Sequence, residues 1–272
     1  MNLDWHQNLP AAIASATRED KPILSLRLLG RLDERLSCAN SRFFRAMLYP
    51  EPRIERLLKT RFVLHWRSVR PVPVVTIDFG DGRTIRRTLT GNSVHLILAP
   101  NGRPIDALPG MYAPEAFLEG LLASLSLDPG RDLGPQHRRR LQLLDARWAE
   151  AAASIGAKAD APPTEALLEA LAAPRAPRPY PSARTAGAIA VTKAMVEMPL
   201  LERISPVERA IALDTLRNEQ LLHRQIHQRF VAGVSENEAE LSDWIYRTLF
   251  LMPPEDPWLG LEPSLPFADL VD

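Results

Sequence analysis

The sequence predicts an α/β fold over residues 1–127, followed by an α-helical region over residues 130–272. Three observations carry that prediction. Strand-type and helix-type runs alternate through the first half, the pattern of a layered α/β unit. Beyond about residue 130 helical patterns follow one another without a strand-type run. The chain of 272 residues, 46% hydrophobic and 24% charged, has the composition of a folded protein and the length to bury one large core or two ordinary ones.

The elements follow in order. "LPAAIASATRED" suits a short amphipathic helix, and "KPILSLRLL" is a β-rich run ending at Gly30. A helix over "SRFFRAML" is expected to stop near Pro50 and Pro52, because proline disfavours helix in the residue before it. "PRIERLLKT" is a further helical turn or two, leading into the strand "RFVLHWRSV". "PVVTIDFGDGRTIRRTLT" holds two β-type runs around Gly80-Asp81-Gly82, whose glycines accept positive φ, so it predicts a hairpin. "SVHLILAPNGRPIDALPG" predicts strand, turn and strand, and "APEAFLEGLLASL" a helix with Pro114 in its first turn. In the second half "PQHRRRLQLLDARWAEAAASIG" and "PTEALLEALAA" are helical, and residues 174–183 form a proline-rich connector. Ser205-Pro206-Val207-Glu208 marks a helix start, and Ser235-Glu236-Asn237-Glu238 repeats that capping pattern. Residues 253–272, rich in proline and carrying Trp258, Leu259, Leu261 and Phe267, predict an extended tail pinned by apolar side chains.

Composition narrows the classes of function. Lys+Arg and Asp+Glu both total 33, so the overall charge provides no field for nucleic acid or an anionic membrane, and neither is expected as a partner. "AGAIAVTKAMVEMPLL", the longest apolar stretch, is interrupted by Lys193 and Glu197 and is too short to span a bilayer. The N-terminal residues lack the apolar run of a secretory signal, so the expected compartment is the cytoplasm, or the periplasm if a leader was removed. With one cysteine there is neither an internal disulfide nor a CxxC pair for zinc. A glycine-rich phosphate loop and a nucleophile elbow are also missing, which disfavours nucleotide enzymes and serine hydrolases.

The single cysteine, Cys38, falls between a strand and a helix. At a helix N-terminus free N–H groups and the helix dipole stabilise a thiolate, and such positions bring a cysteine pKa from ~8.5 to between ~3.5 and ~7.5. Arg31, Arg35 and Arg42 act in the same direction, opposed by Asp33 and Glu34. The other reading is a small buried hydrophobe between Leu36 and Ala39.

Trp5, Ala12, Ala16, Glu19 and Lys21-Pro22-Ile23, with "PRIERLLKTRFVLHW", "LILAPNGRPI" and "LPGMYAPEAFLEGL", resemble the thioredoxin-like superfamily over about residues 3–125. The resemblance implies a thioredoxin-like domain in which the Gly80–Gly82 hairpin is an insertion. It places Cys38 at the first cysteine of CxxC and Ser41 at the second, so that the motif is Cys38-Ala39-Asn40-Ser41. Without a second thiol, the implied function is a monothiol oxidoreductase that forms mixed disulfides with a protein or with glutathione. Ser41 is then a donor to the thiolate, and Asn92, Ser93 and Arg42 line the substrate groove. Ser93 takes the place of the family's cis-proline, and a trans peptide is expected there because a non-proline cis bond costs about 2.5 to 4 kcal/mol. The alternative is a non-catalytic thioredoxin-like binding or scaffold module that uses the hairpin, the helical half and the tail to dock a partner. No cofactor or metal is assigned.

Arg67, Arg70, Arg83, Arg86 and Arg87, near Trp66, suit an anionic ligand or form a solvated strand face balanced by Asp78 and Asp81. Arg138, Arg139 and Arg140 are expected to be solvated. His223 and His227 share a helix face, but no third ligand is evident and the reading is the edge of a core or interface. Met195, Met198 and Leu201 read as helix packing.

Overall fold

Residues Ile23–Leu29 are buried without exception, as a strand covered on both faces must be. They form the central strand of a computed structural model that describes residues 3–158, 160–173, 207–234 and 237–259. The first half runs β1 (Trp5–His6), α1 (Leu9–Glu19), β2 (Ile23–Leu29), α2 (Ala39–Phe43), α3 (Pro52–Arg61), β3 (Val63–Arg70), β4 (Val74–Asp78), β5 (Thr84–Thr88), β6 (Ser93–Leu98), β7 (Pro104–Pro109) and α4 (Pro114–Leu125). Helix α2 continues through a wider π-type turn, Phe44–Leu48, and ends before Pro50 as expected. The second half has α5 (Leu133–Ser154), α6 (Glu165–Ala172), α7 (residues 207–231) and α8 (Glu238–Trp244, continuing as Ile245–Leu249).

The sheet is mixed, with order β1-β3-β2-β6-β7. β1 and β2 run parallel to β3, whereas β6 is antiparallel to both β2 and β7. The predicted hairpin forms as β4 and β5, a separate two-stranded ribbon. Gly80 and Gly82 in its turn have φ of 75° and 86°. Helices start where the sequence supplies caps. Asn8 accepts from Ala11 N ahead of α1, and the Glu51 carboxylate accepts from Ile54 N ahead of α3, with proline in the first turn of each.

One apolar core joins the sheet to residues beyond 130. Leu133, Ile226, Leu241, Ile245, Tyr246, Leu249 and Leu259 pack in the same cluster as β2, β6 and the helices around them. A smaller cluster of Trp148, Ala152 and Leu168 ties α5 to α6. No helix among the described residues is long and apolar enough to cross a membrane.

Three expectations need correction. The capping box of α8 lies two residues later than the sequence suggests: Asn237 accepts from Ala239 N and Glu240 N, and the Glu240 carboxylate accepts from Asn237 N. Glu238 is thereby free to turn into the core. Trp258 is 58% exposed and pins nothing, whereas Leu259 is buried. Arg140 is not merely solvated, because its guanidinium donates to the Ala123 carbonyl and to Ser126 Oγ. The connector over 174–183, Ser205, Pro206, Ser235, Met195, Met198, Leu201, and Leu261 and Phe267 of the tail lie outside the described residues.

Candidate functional site

Strand β2 ends at Leu29, and after the loop that follows the chain returns so that Cys38 N donates to the Leu29 carbonyl at 3.2 Å. Cys38 is the N-cap of α2, the position the sequence predicts. Its expected state is not met. The side chain is fully buried, and burial pushes the thiol up, with only smaller opposition from hydrogen bonds to Ser41, Leu29 and Asn40. The cause is desolvation by packing. Of the arginines expected to help, Arg31 is held by Asp33 at 2.7 Å and Glu34 at 3.2 Å. Arg35 is exposed and Arg42 half-buried.

The other predicted residues do gather here. Ser41 is buried; its hydroxyl donates to Ser37 Oγ at 2.5 Å, and its backbone and side chain also hydrogen-bond the Cys38 thiol. Asn92 Oδ1 accepts from Asn40 Nδ2 at 2.8 Å and from Ser93 N at 2.9 Å. Ser93 opens β6 opposite Leu28, and its peptide is trans, since no cis bond occurs among the described residues.

The chain itself closes this site. Gly91 lies against Cys38 with φ of +153°, and a Cβ added there stands 2.6 Å from Cys38 Cβ. Only glycine permits that approach. From the far side the Tyr246 hydroxyl of α8 donates to the Asn92 carbonyl at 2.9 Å. Asn92 is one of the residues expected to line a groove, and its carbonyl accepts this bond from within the chain. Helix α8 is held there by an ion pair between Arg27 of β2 and Glu238, both side chains buried. Burial, then the neighbouring Arg67, brings the Arg27 guanidinium down to about 10, so it remains charged at neutral pH. Arg70 donates to the carbonyls of Pro254 and Asp256 just beyond α8.

Aromatic residues complete the enclosure. Tyr49 and Tyr246 are fully buried, and burial, with Cys38 nearby, keeps both hydroxyls protonated. Tyr49 Oη lies 2.8 Å from His95 Nε2, and burial brings His95 down to about 3. At neutral pH the thiol is protonated and its buried neighbours Tyr49, Tyr246 and His95 are neutral.

The arginine cluster does not converge. Trp66 is buried and Arg31 stacks over it at 5.4 Å. Arg83 pairs with Asp81, while Arg86 and Arg87 are exposed on β5. His223 and His227 are both buried, and the third partner that the sequence did not reveal is Asp106 of β7. Tyr246, Gly91 and Arg27 were also missed. The i, i+4 spacing of Leu241, Ile245 and Leu249 signals that α8 buries a face, but nothing local says against what. No protein-family model matches this chain, and no curated protein matches it.

Proposed function

We propose that residues 3–125 form a thioredoxin-like domain whose redox position is closed by the chain's own C-terminal helices, and that the protein acts as a non-catalytic binding or scaffold module. The observation that carries this reading is the enclosure of Cys38: a raised thiol, fully buried, with the adjoining Asn92 carbonyl bonded to Tyr246. A monothiol oxidoreductase needs the opposite, a reachable thiolate. A mixed five-stranded sheet with a cysteine at the N-terminus of the second helix supports the thioredoxin-like assignment.

The hairpin is the surface best suited to a partner. Register and strand alternation put Val75, Ile77 and Ile85 on one face of the ribbon together with Arg87. Val75, Ile77 and Phe79 are 39%, 47% and 52% exposed. A two-stranded ribbon is marginal alone, and apolar side chains gathered on one mark a contact surface.

Two measurements test the reading. Native protein incubated with glutathione disulfide is expected to gain no adduct at Cys38, whereas unfolded protein gains one. Partners captured on wild type and on Cys38→Ala are expected to be the same set. A rapid native adduct, or a captured set that depends on Cys38 and is released by reductant, supports the monothiol oxidoreductase instead.

A further inference from the structure

Away from Cys38, three elements bring four ionisable side chains into one buried cluster. Asp106 comes from β7, His137 from α5, and His223 and His227 from α7; all four are buried. His223 Nε2 is 2.9 Å from Asp106 Oδ1, and His227 Nδ1 is 4.0 Å from the same oxygen. One ligand atom from each of Asp106, His223 and His227 falls within 4.8 Å of the others. His137 Nδ1 lies 2.8 Å from His227 Nδ1, and His137 Nε2 lies 3.0 Å from the Ile105 carbonyl oxygen.

The hydrogen bonds determine where the protons are. A carbonyl only accepts, so His137 Nε2 carries a hydrogen. His137 Nδ1 and His227 Nδ1, 2.8 Å apart, share one hydrogen, so His227 is engaged by His137 through Nδ1. The chain of bonds leaves Nε2 of His227 for a ligand. An imidazole held through one nitrogen by an oriented partner, with the other kept for a ligand, has the outer-sphere arrangement of metal-binding histidines. The carboxylate is oriented as firmly: Asp106 Oδ1 accepts from Ala107 N at 2.8 Å and Oδ2 from Ser124 Oγ at 2.7 Å.

We propose that Asp106, His223 and His227 form a binding site for a divalent transition-metal ion, with His137 as the positioning residue behind His227. Two nitrogens and one carboxylate suit Zn²⁺, Co²⁺ or Fe²⁺ and disfavour Ca²⁺ and Mg²⁺, which take all-oxygen shells. Donors about 2.0–2.2 Å from one ion stand roughly 3–3.5 Å apart, so the 2.9 Å between His223 and Asp106 needs little change. The set as a whole, spread over up to 4.8 Å, closes by roughly 1 Å on binding, with the His227 ring turning to present Nε2. For His223 to offer Nε2, its ring hydrogen moves to Nδ1, and the charge of the ring is unchanged. Asp106, His223 and His227 also line a cavity of about 90 Å³, together with Glu119, Glu219, Arg140 and Arg147. That space admits water to the open coordination positions. The two carboxylates offset the two guanidiniums, and Asp106 leaves the surroundings of the ion net negative. The site is independent of Cys38 and of the reading given for it.

The test is metal binding by the untagged full chain after chelator treatment. Titration with Zn²⁺, followed by competition with a chromophoric chelator, is expected to show one equivalent bound at micromolar affinity or tighter. Asp106→Asn, His223→Gln and His227→Gln should each weaken binding by at least 100-fold, and His137→Phe by about 10- to 100-fold. Should the variants fail to fold, Co²⁺ bound to the wild type reports directly. A visible d–d spectrum of a four- or five-coordinate nitrogen and oxygen site supports the assignment. Absence of stoichiometric Zn²⁺ or Co²⁺ at 10-fold excess, a thiolate charge-transfer band, or unchanged affinity in folded variants overturns it. The cluster is then a hydrogen-bonded clasp between β7, α5 and α7.

Discussion

Tyr246→Phe isolates the closure of the Cys38 site. The substitution keeps the ring, which is fully buried, and removes the hydroxyl that donates to the Asn92 carbonyl at 2.9 Å. A hydrogen bond between neutral groups contributes ~0.5–1.5 kcal/mol net, and leaving a buried acceptor unpaired costs ~1–3 kcal/mol. A loss of about 1–2 kcal/mol therefore falls on the closed state. In the native protein Cys38 is modified only through transient opening, so its alkylation rate equals the opening equilibrium constant times the rate for an exposed thiol. One to two kcal/mol raises that constant roughly 5- to 30-fold. The assay is mass-resolved alkylation by iodoacetamide at pH 8 under native conditions, with unfolded protein as the reference. The exposed α8 variant Thr248→Ala is expected to leave the rate unchanged. A Tyr246→Phe rate equal to wild type, alongside a reduced melting temperature, would show that α8 does not gate the thiol. A wild-type rate equal to that of the unfolded reference would remove the enclosure altogether.

Four other outcomes follow from the same structure. Gly91→Ala places a methyl group 2.6 Å from Cys38 Cβ at a φ of +153°, so the melting temperature should fall by several degrees; an unchanged value contradicts the close approach. Breaking the buried pair with Arg27→Met or Glu238→Leu alone should cost about 3–5 kcal/mol in urea unfolding, because the remaining charge is stranded. The double variant Arg27→Met with Glu238→Leu should recover most of that loss, and a double loss equal to the sum of the singles counts against direct pairing. His65 and His95 are brought down by burial from 6.5 to about 3. The unfolded chain therefore takes up their protons first as pH falls. Stability should decrease between about pH 6.5 and pH 3, by at most ~1.4 kcal/mol per pH unit for each ring. His95→Gln should make urea unfolding less steeply dependent on pH, and an unaltered slope refutes the assignment for that ring. Ile77→Asp on the hairpin should abolish partner capture while leaving the melting temperature within a degree or two; retained capture places the contact elsewhere.

Local pattern determined most of the element list. Glycine and proline punctuation, helix caps and runs such as Ile23–Leu29 act between near neighbours, so they can be read without knowing the fold. The hairpin turn at Gly80 and Gly82, the start of α3 at Pro52 and the position of Cys38 at a helix N-terminus all come from such signals. The α8 capping box lies two residues later than the Ser235 pattern suggests, because asparagine offers the same cap chemistry and it is Asn237 that accepts from residues 239 and 240.

What became of Cys38 was not a local matter. The sequence by itself determined a thiol at the start of a helix, a position that favours ionisation in isolation. Tertiary packing decided the opposite state, because Gly91 and Tyr246, residues 53 and 208 positions further on by sequence number, exclude the water a thiolate needs. The histidines show the same division. Helical spacing put His223 and His227 on one face, but Asp106 and His137 reach them from 117 and 90 residues away. Desolvation and long-range pairing depend on what surrounds a group in space, and that surrounding is created only when the sheet and the C-terminal helices close on one another.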